Sequence, residues 1–298
     1  MKFTTAQEWL ALAEQHNLTL AEVVIRAEAA ASELAVEQIM AKMRQNLLVM
    51  EDSVKRGLTE PVYSRSGLTG GAAFQLMQAL KEQTTLTSCL YLKAAMYALS
   101  TAEVNASMGR ICAAPTAGAA GVVPGVIIAL GEALQLDQDQ LLAALFVAAG
   151  VGQVAAENAQ LVGAALGCQA EIGVAAAMAA AGGAFLAGCS ALGCLDAASL
   201  ALQNLLGLTC DPVAGYVEIP CISRNSAAAV NALICIELAK AGVSSKIPLD
   251  DAVLAMIDIG KRMHPDLRET SRGGLAVTPT GKLLAQQCES NCRFKQEN

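Results

Sequence analysis

From Ile172 to Leu195 the sequence runs for 24 residues without a charge, and 14 of these are Ala or Gly. No other stretch constrains the fold as strongly. It is long enough to span a bilayer. Yet Ala and Gly contribute little to insertion, the flanking Glu157, Asn158, Gln169 and Glu171 are polar, and no Lys/Arg bias marks one side. The reading is a helix, or a pair broken at Gly182–Gly183, buried on all sides in a large protein. The whole chain follows the same pattern: 54% of its 298 residues are hydrophobic and only 3% are aromatic. With Ala and Gly supplying the bulk, packing should be close and helical.

The expected architecture is all-α, one compact catalytic domain over residues 1–298, in which Gly/Pro-rich loops converge on one site. It divides into a helical N-terminal part (1–58), a core (59–281) and a tail (282–298). Two or three amphipathic helices fill Thr5 to about Gly57, with Thr19 capping the second. After the loop 59–71 a long helical run is expected from about Ala72 to Ala102, then a loop over 114–125. The following helices should break at 150–152, 167, 182–183 and 207–223. Further helices are expected from near Asn225 to Gly242 and from Leu249 to Met263, with a short one at the end. No β alternation and no dinucleotide-binding fingerprint stands out, and no period marks a repeat array.

Charge narrows the function. The net charge of −7 argues against nucleic acid as the main partner. The start, MKFTTAQEWLALAEQHN, lacks the apolar run of a secretory signal. Ten cysteines without an export signal imply a reducing compartment, and a cytoplasmic protein is expected. Between Arg110 and Arg224 there is no Lys, Arg or His, but there are eight acids: Glu132, Asp137, Asp139, Glu157, Glu171, Asp196, Asp211 and Glu218. A site for an anionic substrate there would draw positive field from outside the span, from a metal, or from backbone N–H groups at helix starts. Only two histidines exist, His16 and His264, and both read as solvated. His-based nucleophilic or zinc chemistry is therefore poorly supported.

The cysteines sort by context. Cys89, Cys235, Cys189 and Cys194 sit among apolar residues and read as core. Cys112 is ambiguous. Cys168 lies at a glycine break in ALGCQAEIG, and Cys210 and Cys221 bracket CDPVAGYVEIPC, whose two prolines and glycine preclude a helix. Three loop-borne thiols without a partner histidine favour iron–sulfur over zinc ligation. Their spacings, 42 and 11 residues, match no ferredoxin pattern. A cluster held by three thiolates leaves one iron open as a Lewis acid. The loops SGLTGG (66–71), VNASMG (104–109) and PTAG (115–118) add hydroxyl, amide and backbone donors suited to a small anionic substrate.

Together SGLTGG, VNASMGRICAAPTAGAAGVVPG, GCQAEIGVAAAMAA, GLTCDPVAGYVEIPC and GGLAVTPTG resemble the α chain of the bacterial iron–sulfur L-serine dehydratases, from about Met1 to Gly281. The resemblance implies a [4Fe–4S] cluster on Cys168, Cys210 and Cys221. It implies a lyase that converts L-serine to pyruvate and ammonia together with a separate β chain, which would carry the catalytic base. Ser66, Thr69, Asn105 and Thr116 become the candidate catalytic residues. Substrate contacts extend to Gly67, Pro115, Ala117, Gly118, Arg224 and Asn225. Related sequences often place Asp after SGLTGG, where this chain has Ala72. Some fused members insert a C-terminal cysteine into the site, and Cys288 and Cys292 are the candidates here. The alternatives are the same site acting on L-cysteine or L-threonine, a non-enzymatic iron–sulfur scaffold, and a pyridoxal-phosphate lyase. The last needs a lysine in the pocket, and there is none from Ala94 to Ala239.

Overall fold

The computed structural model describes the backbone of residues 1–296 and side chains through Cys288. Among these residues there are thirteen α-helices and no β-strand, as the composition predicts. The N-terminal part folds as α1 (Ala6–His16), α2 (Leu20–Ser32) and α3 (Val36–Thr59). Thr19 caps α2 as expected: its hydroxyl accepts from the Glu22 amide while the Glu22 carboxylate takes the Thr19 amide.

The centre is α9 (Ile172–Leu186), the Ala/Gly helix. It is enclosed by α6 (Val122–Leu134), α7 (Gln138–Asn158), α10 (Ala191–Gln203) and α11 (Cys221–Lys240). A second buried helix, α5 (Leu90–Ala106), lies between α3, α6 and α11. Three segments, 117–134, 138–158 and 168–186, are long and apolar enough to cross a membrane by length and composition; here they pack mainly against one another and their neighbours. The remaining helices are α4 (Ala72–Lys81), α8 (Gly163–Leu166), α12 (Leu249–Arg262) and α13 (Pro279–Gln296).

Several boundaries differ from expectation. The run 72–102 is two helices, α4 and α5, separated by Gln83–Ser88, where Gln83 has φ +56° and threonines compete for the backbone. Gly150–Gly152 and Gly182–Gly183 are not breaks; they lie inside α7 and α9. A Cβ on Gly182 would stand 2.8 Å from the Ala144 carbonyl oxygen, so this glycine serves the close approach of α7 and α9 rather than ending a helix. The loop expected over 114–125 ends at Gly121, because α6 starts at Val122 and takes Pro124 in its first turn, where the missing N–H costs nothing. α11 starts at Cys221, four residues before Asn225, and α13 is longer than the short helix expected. Cys89 is not core: it is exposed, one residue before α5. Cys194 and Cys235 are buried as read, and Cys189 is half-buried.

Candidate active site

Three loop systems meet around one small cavity of about 40 Å³. Cys168, Cys210 and Cys221 all line it, with Gly118, Glu171, Ile172, Pro212, Val217 and Glu269. The three thiols are 2%, 5% and 8% exposed. Residues 42 and 11 apart in sequence thus face one space.

Each thiol is fixed by local geometry. Cys168 follows Gly167, whose φ of +80° turns the chain into the short 3-10 turn ahead of α9. Its neighbour Gln169 is fully buried and fully bonded: its amide donates to the Leu166 and Met256 carbonyls and accepts from the Gly207 N–H. Cys210 pairs through its backbone with the segment 267–269, its N–H donating to Leu267 O at 2.8 Å and its carbonyl accepting from Glu269 N at 2.7 Å. Cys221 is the first residue of α11, after a loop turned by Ala214 and Gly215 at positive φ. Asp211 ties this region together, accepting from Arg224 Nη2 at 2.9 Å and from the Leu275 amide at 2.8 Å.

Glycine makes room beside the thiols. A Cβ on Gly163 would lie 2.7 Å from Cys210 Sγ and 2.8 Å from Glu171 Oε2. Burial pushes the Cys168 thiol up to about 11 and that of Cys221 up to about 12, and it raises Cys210 as well; for Cys168 the Arg224 guanidinium partly opposes the rise. Burial also raises Glu171, aided by Glu269. Three thiols and two carboxylates thus share one cavity, with the Arg224 guanidinium facing Cys168. Among the described residues no three His, Cys, Asp or Glu side chains already converge as a single-ion site. Arg268, whose backbone bridges Cys210, has the buried side-chain nitrogen (Nε) that lacks a hydrogen-bond partner among the described residues.

None of Ser66, Thr69, Asn105 and Thr116 lines the cavity itself; their loops join the region through its acids. The chain from Val62 to Gly71 folds back on itself through Ser64 N to Thr69 O (3.0 Å) and Gly71 N to Val62 O (2.9 Å), with Gly67, Gly70 and Gly71 at positive φ. Ser66 Oγ and Thr69 Oγ1 both donate to Glu218 Oε2, at 2.8 and 2.9 Å. Glu103, buried in α5, holds the other end of this loop by accepting from the amides of Ala72 and Ala73, the first residues of α4. Thr116 Oγ1 donates to Glu171 Oε1 at 2.7 Å.

The other expected contacts have their own places. Asn105 Nδ2 donates to Ala117 O at 3.0 Å. Pro115 follows a cis peptide and is half-buried. Asn225 is fully buried and bonds Gly118 O, Cys221 O and the Gly121 amide, so it ties the 118–121 turn to α11. Arg224 holds Thr209 O and Asp211 while facing Cys168. Ala72 is exposed and offers only its amide, to Glu103. His16 and His264 are both exposed, as expected. Cys288 is buried, and Cys292 lies outside the residues whose side chains are described.

Sequence reasoning noticed Glu171, Asp211 and Glu218 as acids in a span without cations but assigned them no role. Each stands within three residues of a site cysteine; that adjacency was the available signal. Glu103 and Glu269 had none, since both depend on tertiary contacts.

The fold and site define an all-α protein built around an interior set of three thiols, ringed by carboxylates and carboxylate-held hydroxyls. The serine dehydratase alpha chain family matches residues 15–276, and the chain belongs to that family. It is 45% identical over 285 residues to the probable L-serine dehydratase, alpha chain, of Bacillus subtilis, covering 96% of this chain and 95% of that one. It is 37% identical over 280 residues to the L-serine dehydratase, alpha chain, of Peptoniphilus asaccharolyticus, covering 94% and 96%. A third relative, L-serine dehydratase TdcG of Escherichia coli, is 37% identical over 282 residues, which is 92% of this chain but 62% of that longer protein.

Proposed function

We propose that this chain is the α chain of an L-serine ammonia-lyase, which binds a [4Fe–4S] cluster on Cys168, Cys210 and Cys221 and acts with a separate β chain. The observation that carries the reading is the cavity lined at once by these three thiols, Glu171 and Glu269. Thiols spread around a space, rather than drawn to a point, suit a cluster in which each holds its own iron; a single zinc ion would need every sulfur within about 2.3 Å of one centre.

When bound, such a cluster with one iron lacking a protein ligand supplies a Lewis acid. The residues of this chain do the rest. Gln169, Asp211 and the 267–269 segment hold the thiols in place. Thr69, Asn105 and Thr116, from the loops beside the cavity, are assigned to orient a small amino acid, with Ser66 holding its loop through Glu218 and the Leu68 amide. Removal of the Cα proton is assigned to the β chain, because both histidines here are exposed and the Glu171 and Glu218 carboxylates already accept hydroxyl protons. No lysine lines the cavity, which disfavours a pyridoxal-phosphate Schiff base. L-Cysteine and L-threonine differ from serine by one atom or one methyl, and the pocket distinguishes such changes by only a few kcal/mol.

The test is iron and acid-labile sulfide per chain after anaerobic reconstitution. About four of each, falling when Cys168, Cys210 or Cys221 is replaced by Ser, supports the reading. A folded protein with neither iron nor sulfide refutes it.

A further inference from the structure

The first turn of α11 carries both Cys221 and Arg224. The guanidinium of Arg224 reaches back over the loop that precedes the helix. Its Nη1 donates to Thr209 O at 2.6 Å, and its Nη2 donates to Asp211 Oδ1 at 2.9 Å. Thr209 and Asp211 are the two neighbours of Cys210, so one planar group grips the chain on both sides of that cysteine. The same guanidinium faces Cys168, in the turn ahead of α9, and favours the charged form of its thiol. Arg224 thus joins the segments of all three thiols, which come from separate parts of the chain.

The grip is shielded and anchored. The Arg224 and Asp211 side chains are 18% and 6% exposed, and Asp211 also accepts from the Leu275 amide at 2.8 Å. A planar fork with buried partners holds a fixed direction, which a lysine ammonium on a flexible stem does not. The charge of Arg224 is already paired with Asp211, so a substrate carboxylate would have to compete with a buried carboxylate for it.

We propose that Arg224 is a positioning residue for the three thiols, a brace that keeps Cys210 and Cys168 in register with Cys221 and so retains the cluster, rather than a contact for the substrate carboxylate. This rests on the cluster reading above. Ligands on separate segments hold a group well when their spacing is fixed before it binds. Without the fork, each segment moves on its own and a thiolate that lets go of its iron is slower to return.

The experiment loads the two-chain enzyme anaerobically and follows iron release to the chelator ferrozine. It also reads the KM for L-serine of the loaded enzyme and the melting temperature of the cluster-free α chain. Replacing Arg224 alone would strand the buried Asp211 charge. The test variant is therefore Arg224→Gln together with Asp211→Asn, which removes both charges. It should release iron about tenfold faster or more, the loss expected for a charge-assisted hydrogen bond. Failure of this variant, though folded, to load iron is the same loss at its extreme. Arg224→Lys keeps the charge without the fork, and its release rate should fall between the two. The KM of loaded enzyme should stay within about twofold, and the cluster-free melting temperature within about 2 °C. Release at the wild-type rate from the double variant or from Arg224→Lys overturns the brace. So does a raised KM with unchanged release, which would make Arg224 a substrate contact. A cluster-free melting temperature lowered by more than about 5 °C overturns it too, by assigning the pair to folding. A wild type that loads no iron is a different failure, that of the cluster reading itself; a loaded wild type with indifferent variants loses only the brace.

Discussion

At the scale of single residues, the site depends on atoms that are absent. Gly163 is such a position: a methyl there would overlap both Cys210 Sγ, at 2.7 Å, and Glu171 Oε2, at 2.8 Å. Its cost falls on the site rather than on the core, because the atoms displaced belong to a thiol and a carboxylate facing the cavity. Gly163→Ala should therefore lower iron and sulfide incorporation severalfold while the helical circular dichroism and the melting temperature change little. A melting temperature lowered by more than about 5 °C, which for a chain of this size means a loss above 1 kcal/mol, with normal iron content would show that Gly163 serves packing instead. The three thiols themselves were legible as residues, because cysteine on a Gly/Pro loop stands out against cysteine in an apolar run. Gly163 was not, since one glycine in LVGAALG carries no sign of what its missing side chain would touch.

At the scale of elements, the sequence rules that rest on local chemistry held, and glycine read as a break held at Gly167 and over 207–223 but not at 150–152 or 182–183, which lie inside α7 and α9. The capping box of α2 is local. Thr19 and Glu22 stand three residues apart, and their reciprocal bonds need nothing from the rest of the fold. Thr19→Ala should cost about 1 kcal/mol at neutral pH, read as a shift in the urea midpoint without a change in slope. The effect has a pH dependence of known sign. The Glu22 carboxyl is held below its ordinary value, first by the Thr19 amide and then by its hydroxyl. A lowered folded pKa contributes stability above the unfolded value of about 4.3 and loses it as pH falls through the folded pKa. The gap between wild type and Thr19→Ala should therefore narrow between pH 4.5 and 3, and a gap that stays constant would mean that the carboxylate takes no part. Gly182 obeys the opposite logic. In sequence, a glycine pair inside an alanine run looks like a hinge. In the fold, Gly182 is where the backbone of α7 passes too close for any Cβ, and only the partner helix reveals it.

At the scale of the whole molecule, the all-α architecture was legible because composition and the uncharged Ala/Gly run leave few other ways to bury so much small apolar surface. The convergence of Cys168 with Cys210 and Cys221 was not readable from spacing. It rested on the resemblance of whole motifs, and the fold supplies the reason: α9, α11 and the 267–269 segment meet at one end of the bundle. The same comparison bears on what this chain can do alone. It matches nearly the full length of relatives named as alpha chains, but only 62% of the longer Escherichia coli enzyme. The remaining length of that protein is the natural place for functions that the α site lacks, a basic group near the substrate first among them. If so, the reconstituted α chain should load its cluster yet form no pyruvate from L-serine by itself. Added β chain should raise turnover along a saturating curve that ends at a fixed ratio of the two chains. The iron and sulfide content should stay the same along that curve, because the three thiols proposed as ligands are all on this chain. Full turnover by the α chain alone would place the base among its own residues, with Glu269, an exposed carboxylate at the cavity, the first to replace by Gln.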